Sequence, residues 1–323
     1  MSSRNLARVL PAAVCVLCAF NAHAQSYPLR PVRLIVAFAP GGSTDLVARL
    51  IAQKLGERLQ KSVVVDNRAG GNTTIGTELA ARATPDGHTL LFGTPATVIV
   101  PLLSKAATYD AVRDFAPVSL VSVSPNGLLV HPGVAAHTVK ELIALAKGRP
   151  GKINFASSGS GSGQHLSGEL FKSMAGIDIV HIPYKGAGPA LIDLIAGRVD
   201  FMITSLIGNV DHVNTGRLRI LATTGAKRTA AMPQVPTMIE AGVAGFDVSV
   251  WQAFFAPVHT PRAIIDILNA HLGVIARSRE VLERTSAQGI ELQAGTPDEL
   301  GAMVHAEVAR WSKVIRETGT RVE

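Results

Sequence analysis

The sequence predicts an α/β protein with two domains, in which parallel-rich sheets are flanked by helices. Short runs of apolar and β-branched residues alternate along the chain with segments whose apolar residues recur at helical spacing. Four of the junctions between such a strand and the following helix are rich in glycine. Removing an expected leader of 24 residues from the 323 leaves 299, a length that favours two domains over one.

The first 24 residues have the features of a secretory signal peptide. Arg4 and Arg8 precede the apolar run 9–20, and residues 22–24, Ala-His-Ala, supply a small-x-small cleavage site. The apolar run is too short to anchor the chain across a bilayer. We therefore expect a periplasmic mature protein that begins near Gln25.

Composition argues against metal, cofactor and nucleic-acid partners. Both cysteines, Cys15 and Cys18, lie in the expected leader, and the histidines are scattered without a zinc-binding spacing. The sequence therefore predicts no metal site and no cofactor. The formal net charge of +7 includes no basic run, and aromatic residues make up only 5% of the chain, so binding to nucleic acid has little support. A mild basic excess instead suits a protein that attracts small anions.

The junction FAPGGSTDLVARLIAQKL, from Phe38 to Leu55, shows the chemistry of these turns. The strand Val32–Phe38 leads into it, and a helix follows in which Thr44 or Asp45 is the expected N-cap. Two glycines let the backbone approach a bound group closely, and the amides at a helix start carry partial positive charge. Such a turn binds a small anion without a charged side chain. The alternative is an ordinary turn between a strand and a helix.

Three further junctions repeat this pattern. A short apolar strand again leads through glycines and hydroxyl residues into a helical segment. These strands and the segments that follow them are Val63–Asp66 and Asn67–Ala83, Ile153–Ala156 and Ser157–Met174, and Ile179–Ile182 and Pro183–Gly197. Because ligands bind beyond the carboxyl ends of parallel strands, four such turns favour an anion site over unrelated turns.

The remaining elements are predicted from caps and turn signals. Strand pieces at Val118–Val123 and Leu128–Val130 are separated by the turn signal Ser-Pro-Asn-Gly at 124–127. Thr138 and Glu141 form a capping box at a helix start. Further strands are predicted within Thr84–Thr94 and at Arg198–Ile203, Leu218–Thr223 and Phe246–Phe255, and further helices from Thr260 and from Thr296, where Glu299 completes a capping box.

One loop raises an enzymatic alternative. Residues Gly159–Gly163 spell GSGSG, which is close to the G-x-S-x-G turn of serine hydrolases. In that motif the serine stands third, where this chain has Gly161. A hydrolase or transferase using Ser160 or Ser162 with His165 is therefore less well supported than a loop whose serines donate hydrogen bonds to a ligand.

Segments throughout the chain resemble the Bug family, the periplasmic solute-binding proteins of tripartite tricarboxylate transporters. They include AFAPGGSTD, NRAGGNTTIG and HIPYKGAGPALIDLIAG. The matching segments occur in the same order as in the family and cover nearly the whole expected mature chain. The resemblance is carried by residues 27–55, 67–94, 181–202, 218–228, 235–242 and 251–269.

The resemblance implies a two-domain periplasmic binding protein of the second type, with the ligand held in a cleft between the domains. Domain 1 would comprise residues 25–125 and 226–323, and domain 2 would comprise residues 126–225. Family members are not enzymes; they bind small carboxylated solutes, including dicarboxylates, tricarboxylates, amino acids and aromatic acids, for uptake by membrane permease subunits. An adaptor that presents its ligand to a periplasmic sensor domain is a further alternative.

The resemblance also implies the ligand-binding residues. On the domain 1 side they are Ala39, Gly41, Gly42, Thr44, Asp45, Gly70, Gly71, Asn72, Thr73 and Thr94. On the domain 2 side they are Ser157, Ser158, Gly159, Ser160, Gly161, Ser162, His165, Tyr184, Lys185, Gly186 and Thr204. Asp45 cannot neutralise an anion, so we expect it to cap its helix or to orient water. Lys185 is the candidate direct counter-charge, and a solvated loop lysine is the alternative.

Two departures from the family pattern leave the identity of the ligand open. Family members commonly carry Phe-Asp-Asn after a strand that ends in Val-Asp, whereas residues 199–205 here are VDFMITS. Near Trp251, the usual Tyr-Gly is replaced by Gln252 and Ala253. We expect these changes to reshape the wall of the cleft.

Overall fold

The computed structural model describes residues 27–184, 186–286 and 290–319. The predicted signal peptide, residues 1–24, and the candidate counter-charge Lys185 lie outside the described residues. None of the described helices is both long enough and apolar enough to cross a membrane.

Strands and helices alternate along most of the described chain, which confirms the predicted α/β class. The strands are β1 (Val32–Val36), β2 (Val63–Asn67), β3 (Thr89–Gly93), β4 (Phe115–Val130), β5 (Ile153–Ser157), β6 (Ile179–Pro183), β7 (Phe201–Ser205), β8 (Arg219–Thr223) and β9 (Ser249–Pro257). The helices are α1 (Ser43–Leu59), α2 (Thr74–Ala81), α3 (Pro95–Leu103), α4 (Val139–Gly148), α5 (Gly163–Ala175), α6 (Ala187–Ile195), α7 (Val210–Asn214), α8 (Arg262–Ala276), α9 (Arg279–Ser286) and α10 (Pro297–Thr318).

The strands form two sheet regions that share β4. In the first region the order is β2-β1-β3-β9-β4, with β1 parallel to both β2 and β3. In the second region the order is β8-β4-β7-β5-β6, with β5 parallel to both β6 and β7. Strand β9 runs antiparallel to β3 and β4, and β4 runs antiparallel to β7 and β8. These regions define the first and second lobes of the protein.

Strand β4 runs through both lobes without a turn, so the turn predicted at 124–127 is wrong. Its first part pairs with β9 as far as Pro125 opposite Ser249, and it pairs with β7 from Asn126 onward. Proline lacks an N–H, and Pro125 stands where the strand exchanges one set of partners for another, a position that tolerates this loss. The backbone of Asn126 resumes the pairing by donating to Thr224 Oγ1 and accepting from the Thr224 N–H.

The segment 226–248 packs on the second lobe. Its Met238 and Phe246 lie in one buried cluster with Phe155 and Phe171. The family resemblance implies that this segment belongs to domain 1, which would begin again at residue 226. The packing instead favours a crossing close to the start of β9, so we propose a division in which residues 226–248 accompany domain 2.

One of the two predicted capping boxes forms in full. Thr296 and Glu299 form the capping box at the start of α10. Thr138 caps α4 by accepting a hydrogen bond from the Glu141 N–H, but the Glu141 carboxylate accepts from the His137 N–H, so the box predicted there is only half formed. Helix α3, which begins with a proline, was not predicted, and its start lies at the edge of the first lobe that faces the second.

Gly76 sets how closely α2 approaches β1. A Cβ built at Gly76 would lie 2.6 Å from the carbonyl oxygen of Arg68 and 2.9 Å from the Cα of Ala37. Because both are backbone atoms, we expect Gly76→Ala to lower the free energy of unfolding by about 1–3 kcal/mol, despite the higher helix propensity of alanine. Urea denaturation measures this loss. The matched control is Gly188→Ala in α6, where a Cβ meets no atom within 4 Å. Equal losses in the two variants would contradict the close approach.

Candidate functional site

A cavity of about 470 Å³ lies between the two lobes. It is bounded by residues at the carboxyl ends of β1, β3, β5 and β7, namely Ala37, Thr94, Ser158 and Ser205. The parallel pairs β1 with β3 and β5 with β7 therefore direct four chain segments to one place. This is the edge at which α/β sheets bind their ligands.

Five of the described helices begin at this cavity. The N-cap residues of α1, α2, α3, α5 and α6 line it, and they are Gly42, Thr73, Thr94, Ser162 and Gly186. The first amides of a helix have no acceptor within the helix, and the aligned peptide dipoles give that end about half a positive charge. The meeting of these helix starts makes the cavity electropositive.

The described residues that line the cavity include no charged side chain. Its polar groups are backbone amides, serine and threonine hydroxyls, and the side-chain amides of Asn72, Asn126 and Gln164. Phe38 and Trp311 are among its apolar residues. The cavity therefore offers an anion hydrogen-bond donors and helix dipoles in place of an ion pair.

Helix α1 begins earlier than the sequence suggested. It starts at Ser43 with Gly42 as N-cap, so the expectation that Thr44 or Asp45 caps this helix is wrong. Gly42 has a φ of −79°, which any residue adopts. A Cβ built on Gly42 would meet no atom within 4 Å, so a side chain there would enter open space at the cavity.

Asp45 supports the first glycine loop from behind. Its buried carboxylate accepts hydrogen bonds from the Gly41 N–H at 2.9 Å, Arg49 Nε at 3.0 Å and Asn67 Nδ2 at 2.9 Å. Burial alone would raise the pKa of Asp45, but the hydrogen bonds from Arg49, Gly41 and Asn67 outweigh burial and hold that pKa below its usual range. Asp45 thus fixes the loop as a charged acceptor whose bonds are all internal to the protein.

The second glycine loop has an uncommon backbone. Gly70, Gly71, Asn72 and Thr73 have φ values of 128°, 55°, 51° and 75°. Glycine and asparagine tolerate this region, whereas a β-branched residue such as Thr73 rarely adopts it. Conformations of this kind persist where the surrounding structure enforces them, and they cluster at binding sites.

Gln164 ties the third loop to β7. Its Oε1 accepts a hydrogen bond from the Ser158 N–H at 2.7 Å, and its Nε2 donates to Thr204 Oγ1 at 2.7 Å. Gln164 lines the cavity, although no sequence motif singled it out. Thr204, which the sequence analysis placed in the site, is buried behind it.

The structure brings part of the predicted site to the cavity wall. The predicted residues that line the cavity are Ala39, Gly42, Thr44, Gly70, Asn72, Thr73, Thr94, Ser158, Gly161, Ser162 and Gly186. The predicted residues outside this lining are Gly41, Asp45, Gly71, Ser157, Gly159, Ser160, His165, Tyr184 and Thr204. The Tyr184 hydroxyl donates to Asp193 on α6 at 2.7 Å. Lys185 lies outside the described residues, and ligand contact by any member of the set remains a prediction.

Polar residues at the crossing between the lobes also line the cavity. Asn126, Ser205 and Ser249 belong to this group, which sequence reasoning missed. Asn126 is only 4% exposed, and its Oδ1 has no hydrogen-bond partner among the described residues. The sequence predicts a turn at Asn126, whereas the continuity of β4 brings this residue to the cavity.

The departures from the family pattern lie mainly behind the cavity wall. Gln252 is buried within the first lobe, where its Oε1 accepts a hydrogen bond from Ser122 Oγ at 2.7 Å. Contrary to expectation, neither Gln252 nor Ala253 lines the cavity. Of residues 201–205, Ser205 alone does.

The contacts of the serines and histidines near this loop do not support the alternative of a serine–histidine enzyme. Ser162 Oγ accepts a hydrogen bond from the backbone N–H of His165, and His165 Nδ1 accepts one from the Gly161 N–H. Ser157 Oγ lies 2.6 Å from His181 Nε2, but Ser157 is fully buried. A serine nucleophile needs an imidazole base beside a hydroxyl that a substrate can reach.

Known proteins share this architecture. The model of the tripartite tricarboxylate transporter family receptor matches residues 47–320. BugT of Bordetella pertussis is 40% identical over 302 residues, 93% of this chain and 93% of that protein. Rpa4515 of R. palustris, solved with adipate, has a TM-score of 0.84 at 38% identity, with 91% of this chain and 99% of that chain covered. MatC of Rhodopseudomonas palustris, solved with bound malate, has a TM-score of 0.79 at 31% identity, with 90% and 100% covered.

The resemblance to the Bug family and the expected two-domain binding-protein fold are thereby confirmed. Each of the three proteins aligns with at least 90% of this chain, so the relation is not confined to one lobe. The chain belongs to the tripartite tricarboxylate transporter family receptors, and the members of this receptor family are periplasmic solute-binding proteins.

Proposed function

We propose that this protein captures a small carboxylated solute in the periplasm and delivers it to a membrane permease. The observation that carries the proposal is the convergence of five helix N-termini on a cavity whose described lining has no charged side chain. Amides and hydroxyls arranged in this way suit a carboxylate. The relatives solved with adipate and with malate support the same ligand class.

A dicarboxylate suits the two-lobed geometry best. Helices α1, α2 and α3 start on the first lobe, and α5 and α6 start on the second, so each lobe can receive one carboxylate. The volume of about 470 Å³ falls within the range of small-molecule sites. Phe38, Ile99 and Trp311 supply apolar surface for the carbon chain between the two carboxylates.

The proposed receptor binds its solute without changing it, and its expected partner is a membrane permease. An enzyme would return an altered solute, so recovery of the released compound unchanged separates the two classes. The alternative partner, a periplasmic sensor domain, is distinguished by co-purification, because solute binding alone is common to both roles. The support for the permease is the family relation.

We expect export and cleavage between Ala24 and Gln25, because the basic start, the apolar run and the Ala-x-Ala site follow in order. Mass spectrometry of the periplasmic protein measures the new N-terminus. A periplasmic form that retains Cys15 and Cys18 would contradict the proposed cleavage.

A thermal-shift screen against carboxylic acids tests the ligand class. A solute present at 100 times its dissociation constant should stabilise the folded protein by about 2.7 kcal/mol, because it binds the folded state alone. Malate and adipate are the first probes, and the corresponding dimethyl esters are the matched controls. Stabilisation by the esters as strong as by the acids would contradict a carboxylate site.

A side chain at Gly42 should block the first loop. Gly42→Val adds its methyl groups to open space at the cavity, at a φ of −79° that valine tolerates. We expect the affinity for the solute identified in the screen to fall by at least about tenfold, or 1.4 kcal/mol. The melting temperature of the unliganded protein should move by only a few degrees. Calorimetry measures the affinity.

The matched control for this substitution is Gly148→Val at the end of α4. Gly148 also has open space around a built Cβ, but it does not line the cavity. The Gly148→Val variant should therefore bind the solute with the affinity of the wild-type protein. Unchanged affinity in Gly42→Val would show that this loop is not part of the site.

A further inference from the structure

The loop between β5 and α5 rests on stacked aromatic rings. The imidazoles of His165 on α5 and His181 on β6 have centroids 3.8 Å apart and planes inclined by 15°. The ring of Phe155 on β5 stacks on His181 at 5.0 Å. Neither histidine lines the cavity, whereas Gly161 and Ser162 in the loop do. The histidine pair thus forms a layer behind the cavity wall.

Each imidazole is linked to a glycine of this loop. His165 Nδ1 accepts a hydrogen bond from the Gly161 N–H at 3.0 Å, so Nδ1 carries no proton. His181 Nε2 lies 2.6 Å from Ser157 Oγ, which also accepts from the Gly159 N–H at 3.1 Å and donates to the Gly159 carbonyl at 3.0 Å. A hydroxyl has only one proton, and Ser157 uses it in the bond to the Gly159 carbonyl. The proton in the bond between Ser157 Oγ and His181 Nε2 is therefore assigned to His181 Nε2.

The first lobe makes the corresponding hydrogen bond with a different side chain. Asp45 and His165 are each the third residue of their helix, and each accepts from the N–H of a glycine four residues earlier. Those glycines, Gly41 and Gly161, each stand directly before the N-cap residue. An acceptor at this position therefore holds the backbone that enters a cavity-facing helix start in both lobes.

We propose that His165 and His181 are positioning residues for solute binding, which as neutral imidazoles hold the peptides of Gly159 and Gly161 so that the start of α5 presents its amides to the cavity. They act through the loop and touch no solute. The effect on affinity rests on the proposed function, whereas the support of the loop does not.

The surroundings keep both rings neutral near pH 7. Burial lowers the pKa of His165 to about 4, and burial together with the charge of His165 lowers that of His181 to about 4. The ionisable group that faces the pair in the described chain is the Glu169 carboxyl, 3.8 Å from His165 Nε2. Burial raises the pKa of Glu169, and Lys172 partly opposes this effect. From β5 the pair meets the apolar ring of Phe155.

Protonation of His165 at Nδ1 would remove the acceptor of the Gly161 N–H. Both histidine pKa values lie below the ordinary 6.5, so the unfolded chain takes up protons first as the pH falls. The contribution of the pair to stability therefore declines as the pH falls from about 6.5 to about 4. Solute binding, which needs His165 to be neutral, weakens as the pH approaches 4.

Isosteric variants separate the hydrogen bonds from the ring stack. His165→Asn keeps an acceptor in place of Nδ1, and His181→Gln keeps a donor in place of Nε2. His165→Phe and His181→Phe keep an aromatic ring without these bonds. By calorimetry with malate and with adipate at about pH 7.5, we expect the Asn and Gln variants to stay within about twofold of wild type and the Phe variants to lose about fivefold or more.

A pH series gives a readout that a merely structural role would not move. The affinity of wild type is divided by that of His165→Asn at each pH, so the titration of the solute itself cancels. We expect this ratio to fall about twofold at pH 4, where half of His165 is protonated, and further below it. A ratio that rises on acidification, as expected if an imidazolium simply attracts the anion, would overturn the proposal, and so would wild-type affinity in both Phe variants.

Hydrogen exchange of the Gly161 amide tests the support of the loop without solute. Protection should fall at least about tenfold in His165→Phe and persist in His165→Asn. Equal protection in the two variants would overturn the proposal. If the Phe variants do not fold, protection of the Gly161 amide in wild type is divided by that in His165→Asn between about pH 7 and 4. We expect this ratio to fall as His165 is protonated, and a constant ratio would overturn the proposal. Failure of every dicarboxylate to bind, with the exchange result as expected, would count against the proposed function alone.

Discussion

The meeting of helix N-termini at one cavity is the constraint that the rest of the fold satisfies. Like partial charges repel, so these ends stay together only because each follows a strand of a well-packed sheet. In the first lobe β1, β2 and β3 lead into α1, α2 and α3, and in the second β5 and β6 lead into α5 and α6. Buried clusters around Leu34 and Ile51 in one lobe and Phe155 and Phe201 in the other supply the apolar stabilisation. An anion then relieves a repulsion that the scaffold maintains.

Behind the cavity, the two lobes stabilise similar loops with different chemistry. Asp45 is an ionised acceptor, paired with Arg49 one turn later, and its internal hydrogen bonds hold its pKa down. His165 is a neutral acceptor with Glu169 one turn later, and burial keeps it neutral. Both solutions place the ionisable group outside the cavity lining, so that the helix starts present backbone amides to the cavity without a charged side chain. The first support is insensitive to pH near neutrality, whereas the second is coupled to the protonation of an imidazole.

Local chemistry in the sequence was enough to predict the strand–helix alternation and the glycine-rich turns, since both depend on spacing and on backbone freedom. It was not enough for features that depend on distant parts of the chain. Asn126 reaches the cavity because β4 continues past Pro125, which required knowing the partners of that strand. Thr73 adopts a positive φ against the preference of a β-branched residue, which residue type alone does not predict. His181 stands on a different strand from the loop it supports, so no motif joins them.

The continuity of β4 also bears on how the lobes move relative to each other. The strand keeps its hydrogen bonds to β9 before Pro125 and to β7 after it, and a Cβ built on Gly225 would lie 3.3 Å from the Cβ of Pro125. Any rotation of one lobe against the other would therefore twist this unbroken strand, which would act as a torsion spring between them. Such a spring has one relaxed angle, and any solute that requires another angle must supply elastic work from its own contacts. Selectivity among small carboxylates of different length would then reside partly in the stiffness of this strand, at a distance from the cavity wall.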